Sequence, residues 1–230
     1  ETMGESWLTF EQINNEAKFD INELKPRYGI GGVDLSSTTD LTCATMIFQV
    51  PSDPHIYVEQ MYWLPEDLLE QRVVEDKIPY DIWRDNGLLR TSQGNKVHYR
   101  DVVTWFEELQ EEKDIYLFKA GYDSWSATYF VEDMKANFGQ ETMEPVIQGK
   151  KTLSSPMKNL GADLMSKRVI YNNNPILKWN LTNVAIDIDK NDNIQPMKTS
   201  NTKKRIDGFA SLLDAYVVYE RYLESYQNMI

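Results

Sequence analysis

The order of elements in the sequence predicts an α/β fold: a mixed sheet, made of an antiparallel three-strand meander plus parallel strands, with helices on both faces. Three observations carry this. Three β-rich runs come early, separated only by short polar turns. Behind them helical and extended patterns alternate up to a final long helix. The 230 residues are 41% hydrophobic and 12% aromatic, enough for one full-sized core.

Residues 1–26 read as a helical or irregular arm closed by Pro26. YGIGGVD, LTCATMIFQV and HIYVEQMYWL follow, joined by SSTT and PSDP, and this spacing predicts the meander. From Pro65, PEDLLEQRVVEDKIPYDIWRDNG favours helix, with a break at Pro79 and a stop at Gly87. HYRDVVTWFEELQEE places Val102, Phe106 and Leu109 at helical spacing. DIYLFKAGYD reads as a buried strand ending at Asp123. SWSATYFVEDMKANFG predicts a helix with Ala127, Phe130, Val131, Met134 and Phe138 on one face. EPVIQG is a short strand, and Ser155-Pro156 offers an N-cap and first position for the next helix. PILKWNLTNVAIDID and NIQPMK flank KNDN as a predicted hairpin. TKKRIDGFASLLDAYVVYERYLESYQ ends the chain as a long helix with Ile206, Phe209, Ala210, Leu213 and Val217 as its stripe.

Several classes are excluded. No apolar stretch approaches the roughly 20 residues of a membrane span, and no signal-peptide pattern opens the chain. The single cysteine, Cys43, rules out an internal disulfide and a Cys-rich zinc site, and fits a reducing, cytoplasmic setting. No GxxxxGK[ST] loop occurs, so the chain is not by itself a P-loop ATPase. The start at ETMGESWLTF, without an initiator Met, is expected of a piece cut from a longer chain. Net charge is −12, unevenly spread: residues 1–149 carry 12 Lys+Arg against 28 Asp+Glu, whereas residues 150–205 carry 11 against 4. A basic segment on an acidic body fits either a polyanion contact or an ordinary solvated face.

Three aspartates stand out by position. Asp34 ends the first strand, Asp123 ends the strand in GYDSW, and Asp207 lies in the first turn of the last helix. Ligand sites in open α/β sheets gather at strand ends. Carboxylates converging there repel unless cations neutralise them, and hard oxygen ligands select Mg²⁺ or Mn²⁺. Each residue also has a plainer use: Asp34 capping the SSTT turn, Asp123 capping a helix, Asp207 complementing the helix dipole. Asp40, across the turn, and Asp214, two helical turns past Asp207, are possible supporting carboxylates. DIDKNDN echoes a calcium loop but has Asp192 where that loop needs Gly and Lys198 where it needs Glu. Lys150, Lys151, Lys203, Lys204 and Arg205 are the cations placed to meet a phosphate backbone.

GGVDLSSTTDLTCATMIF, GYDSWSAT, EPVIQGKKTLSSPMK, NPILKWNLTNVAIDID and KKRIDGFASLLDA together resemble, in order and spacing, the C-terminal nuclease domain of tailed-bacteriophage terminase large subunits, in the branch that includes the HK97-like phages. The resemblance covers about residues 28–220. It implies a ribonuclease H-like fold and a metal-dependent endonuclease that cuts concatemeric viral double-stranded DNA during packaging. On the family's motifs, Asp34 is the aspartate of DLSSTTD, Asp123 that of YDxW and Asp207 that of RIDG. The ordered aspartate set beside a basic segment is expected to hold two divalent ions, Mg or Mn, with Asp34 bridging. Residues 1–26 are then expected to be an arm or linker from the packaging ATPase domain of the same parent chain, and residues 27–230 the nuclease domain. The portal and small terminase subunit are the expected partners, and the host cytoplasm the expected location. Two rivals stay open: GGVDLSSTTD also resembles the first phosphate motif of sugar kinases and actin-like ATPases, with Ser36 where that motif needs Gly, and a non-catalytic DNA-binding or assembly module would need no aspartate set.

Overall fold

The first residues described in this computed structural model fold back onto the body. The structure describes residues 4–36, 40–124, 128–197 and 204–230. Residues 4–25 form β1 (Glu5–Ser6), α1 (Phe10–Ile13) and α2 (Ile21–Leu24), with a Thr9/Gln12 capping box starting α1. The meander follows as β2 (Tyr28–Asp34), β3 (Thr42–Phe48) and β4 (Ile56–Pro65). An excursion of α3 (Leu69–Asp76) and α4 (Tyr80–Asp85) leads to β5 (Leu89–Ser92). Then come α5 (Tyr99–Lys113), β6 (Tyr116–Asp123), α6 (Thr128–Phe138), β7 (Met143–Val146) and α7 (Lys150–Met165). The chain ends with β8 (Val169–Ile170), α8 (Pro175–Thr182), β9 (Ala185–Ile188), β10 (Ile194–Pro196), α9 (Asp207–Arg221) and α10 (Leu223–Met229).

The main sheet has seven strands in the order β5-β4-β3-β2-β6-β7, with β8 also paired to β4. The predicted meander is present: β2–β3 and β3–β4 are antiparallel, while β6 and β7 continue in parallel on the far side of β2. The predicted mixed sheet with helices on both faces is thereby observed. Strand β2 is central and buried along its middle five residues, as its unbroken apolar and glycine run requires. One face carries α7 and α9 over Ile30, Ile47, Phe209 and Leu212. The other carries α5 and α6 over Val33, Phe48, Trp105, Phe106 and Phe130.

Three expectations are corrected. Ser155-Pro156 does not start a helix: α7 begins six residues earlier, after Gly149 (φ +121°), and Pro156 lies inside it. Leu153 is buried and anchors that first stretch, so tertiary burial outweighs the capping pattern. The predicted hairpin is shorter than its sequence, because residues 175–182 are helical. Asn174 accepts from the Ile176 and Leu177 N–H groups, and Pro175 occupies the first helical turn. Only β9 and β10 pair across the turn, and β1 adds to β9 as a third strand. The final helix breaks at Tyr222, and its burial is no single stripe: Leu212, Leu213, Ala215, Tyr216, Val217 and Val218 are all buried. Ala127, placed in the preceding helical stripe, lies outside the described residues.

Candidate metal centre

Alternation along the central strands decides where the acidic side chains point. In β2, Ile30, Gly32 and Asp34 share one face, and that face carries α9. A Cβ on Gly32 would sit 2.1 Å from the Ser211 carbonyl oxygen. In β6, Gly121 and Asp123 share the same face, and a Cβ on Gly121 would sit 2.6 Å from the Asp214 carbonyl oxygen. Both glycines are therefore required by close backbone approach. Val33 pairs with Tyr122 in parallel register, so Asp34 and Asp123 end neighbouring strands at one edge of the sheet, beneath α9. Helix α9 supplies Asp207 in its first turn and Asp214 two turns on, along one face.

Polar contacts hold α9 at this height. Ser211 Oγ donates to the Gly32 carbonyl at 2.9 Å and meets Thr45 Oγ1 at 2.7 Å. Gln60 donates to Thr45 Oγ1 at 2.9 Å and to the Gly208 carbonyl at 3.0 Å. Asn180 Oδ1 accepts from the Gly208 N–H at 2.7 Å. On the strand side, Ser36 N–H donates to Thr42 Oγ1 at 2.9 Å and closes the base of the β2–β3 turn. Residues 37–39 lie outside the described residues.

Asp34 and Asp207 meet directly. Their interaction raises Asp34 and lowers Asp207. Burial pushes Asp34 well above the usual carboxylate range, and the charges of Asp207, Asp214 and Asp40 push it further. Asp207 is pushed up to about 6, first by burial and then by Asp40, against the Asp34 hydrogen bond, Arg205 and the Leu41 N–H. Asp214 is raised by burial and then by the charge of Asp123. The charges of Asp40 and Asp214 thus act on the Asp34–Asp207 pair, and that of Asp123 on Asp214. Asp207 Oδ2 is buried with no hydrogen-bond partner among the described residues, and such an atom is costly unless something satisfies it. A carboxylate oxygen left in this way, among acids that crowd one another, fits a divalent cation. Among the described residues no three or more Asp, Glu, His or Cys side chains stand close enough together to hold a metal ion between them.

The basic residues separate into distinct settings. Lys150 and Lys151 open α7 just beyond the carboxyl end of β7. Asp123 pairs with Val146 there, so both lysines lie at the same sheet edge as the aspartates. They line a cleft of about 650 Å³ with Lys158, Asp189 and Asn193. Lys150 pairs with Asp187 at 3.0 Å, whereas Lys151 and Lys158 are exposed. Lys204 is exposed, and Lys203 lies outside the described residues. Arg205 does not face a phosphate backbone as expected: its side chain is 1% exposed and is ion-paired to Asp76 at 2.9 Å and to Asp40 at 3.0 Å. Asp76, Tyr80, Asn180 and Lys158 were not singled out from the sequence. Lys158 was findable as a cation two helical turns from Lys150; the others act across contacts that no local pattern encodes.

The profile of the family described as "Terminase large subunit, endonuclease domain" matches residues 1–221. The large subunit of terminase from Enterobacteria phage HK97 is 29% identical over 188 residues, covering 81% of this chain and 36% of that protein. Protein YmfN of Escherichia coli K12 is 26% identical over 215 residues, covering 84% of this chain and 45% of that protein. The chain thus spans less than half the length of either relative. The crystal structure of the HK97 large terminase superposes with a TM-score of 0.74 at 29% identity, over 84% of this chain and 40% of that one. The magnesium-bound terminase nuclease from thermophilic phage G20c gives a TM-score of 0.51 at 16% identity, over 82% of this chain and 80% of that one, a likeness of fold. The sheet is ribonuclease H-like, as in these nuclease domains. With its sequence profile and topology in agreement, the chain belongs to the terminase large subunit endonuclease-domain family.

Proposed function

We propose that this domain is a divalent-metal-dependent endonuclease that cleaves concatemeric double-stranded viral DNA during genome packaging. One observation carries the reading: Asp34 and Asp207 crowd one strand end, where a buried Asp207 oxygen has no hydrogen-bond partner among the described residues. Asp34, Asp123 and Asp207 would hold two ions, Mg²⁺ or Mn²⁺, with Asp34 shared, and Asp40 and Asp214 in support. What divalent ions supply at such a site is Lewis acidity, giving a more acidic water and a stabilised leaving 3′ oxygen. The G20c nuclease was crystallised with magnesium and with cobalt, ions of the class these oxygen donors select.

The chain's own residues do the rest. Asp34 would hold a cation as the carboxylate, since carboxylate ligands bind deprotonated. Lys150 and Lys151, with Lys158 behind them in the same cleft, hold the sugar-phosphate backbone, and Lys204 adds charge near the start of α9. These contacts read no base edges, so cleavage shows little sequence preference. Residues 1–26 lead from a packaging ATPase domain in the parent chain, whose portal and small-subunit partners place the enzyme in the host cytoplasm. A plasmid-nicking assay tests the proposal. Nicking with Mn²⁺ or Mg²⁺, abolished by EDTA and by Asp34→Ala, is expected; full activity in Asp34→Ala or in EDTA would overturn it.

A further inference from the structure

Arg205 lies two residues before Asp207, and its guanidinium is held on three sides. Nε donates to Tyr80 Oη at 3.0 Å and to Asp76 Oδ2 at 3.3 Å, Nη2 donates to Asp76 at 2.9 Å, and Nη1 donates to Asp40 at 3.0 Å. Asp76 and Arg205 are each 1% exposed at the side chain, whereas Asp40 is 58% exposed. The guanidinium thus spans from a sealed interior to the open acidic edge. The backbone around it is fixed as well: the Arg205 carbonyl accepts from Asn183 at 2.9 Å, and the Gly208 N–H is held by Asn180.

A buried ion pair of this kind adds little net stability, because desolvation offsets the attraction. Its use is geometric. The planar fork fixes directions that a lysine ammonium cannot reproduce. Asp76 ends α3 and Tyr80 opens α4, in the excursion between β4 and β5 that adds no strand to the sheet. Through Arg205 this excursion reaches both Asp40 and the turn that presents Asp207. We infer that Arg205, clamped by Asp76 and Tyr80, is a positioning residue that sets Asp40 and the first turn of α9 against Asp34, so that the carboxylates accept divalent cations. The inference rests on the nuclease reading above, and it assigns α3 and α4 the task of bracing the metal centre.

The test uses the whole chain and Mn²⁺. Half-saturating Mn²⁺ is measured from the rise in melting temperature without DNA, and again from plasmid nicking. Arg205→Lys is expected to raise both values about tenfold, the usual cost of losing a group that orients metal ligands. The nicking rate at saturating Mn²⁺ should fall less than the half-saturation point moves. DNA affinity in EDTA should stay at the wild-type value, since Arg205 is not a phosphate contact. Tyr80→Phe, which keeps the ring packing and removes the hydroxyl that accepts from Arg205 and donates to Asp76, is expected to shift half-saturation about threefold. Unchanged half-saturation in a folded Arg205→Lys protein would overturn the inference, as would a matching loss of DNA affinity in EDTA. Should Arg205→Lys fail to fold, unchanged half-saturation in Tyr80→Phe overturns it instead. A wild-type protein that neither nicks DNA nor is stabilised by Mn²⁺ would remove the nuclease reading itself.

Discussion

At the scale of single residues, the acidic edge is a site in which folding opposes charge. Replacing Asp34 or Asp207 by Asn keeps size and removes a charge from the proposed ligand set. Nicking is expected to fall at least ~100-fold, while the metal-free melting temperature holds or rises because repulsion is relieved; parallel nicking and thermal-melt measurements check both. The pH dependence has a definite sign. Asp207 is raised to about 6 and Glu59, on the opposite face of the sheet, to about 7, in each case mainly by burial. A carboxyl raised on folding binds its proton more tightly in the native state. Its contribution is therefore fully present below the unfolded value of about 4 and is lost as pH rises through the folded value. In EDTA, stability should drop as pH rises from about 4; Asp207→Asn should lessen the drop up to about pH 6 and Glu59→Gln up to about pH 7, in melts run across the range.

At the scale of elements, α9 governs the site because it lies on glycine. Gly32→Ala places a methyl where the Ser211 carbonyl stands, 2.1 Å away, and neither backbone can yield without lifting the helix. A loss of about 3 kcal/mol is expected from such overpacking, with nicking weakened at every Mn²⁺ concentration; denaturant unfolding measures the first and the plasmid assay the second. How far elements could be read from the sequence follows from where their stability originates. The meander and the two helix–strand units carry period-2 and period-3.6 patterns and are found where they are expected. Strands β1 and β8, two residues each, have too little pattern to announce themselves and exist only through their partners. Helix α8 did carry a signal, Asn174-Pro175, which the β-rich run after it masked.

At the scale of the whole molecule, charge is divided: an acidic body with cations gathered in residues 150–205. Long-range repulsion should keep DNA binding weak and confined to the α7 cleft. Each phosphate contact contributes a slope of about −0.9 in log K against log salt concentration. Replacing Lys151 and Lys158 together by Ala should therefore flatten the slope by about two, while leaving the Mn²⁺-induced rise in melting temperature unchanged. Anisotropy titrations with a short duplex across a series of salt concentrations, in EDTA, provide the measurement.

By itself the sequence determined the α/β order, the central buried strand and the three aspartates at the ends of elements, because strand ends and first helical turns are local features. It also carried the ordered motifs that place the chain in its family. Taken alone, DLSSTTD suited a phosphate-binding turn as well as a metal site. Only the tertiary structure decided that Asp34 faces α9 and meets Asp207, since that depends on the β2–β6 register and on two glycines that let a helix lie against the strands. It likewise moved Arg205 from the surface, where its basic neighbours suggested it belonged, to a buried clamp. The partners that hold it there, Asp76 and Tyr80, are more than a hundred residues away in the chain. A buried charge is settled by whichever counter-charge packing brings to it, and no local pattern records that.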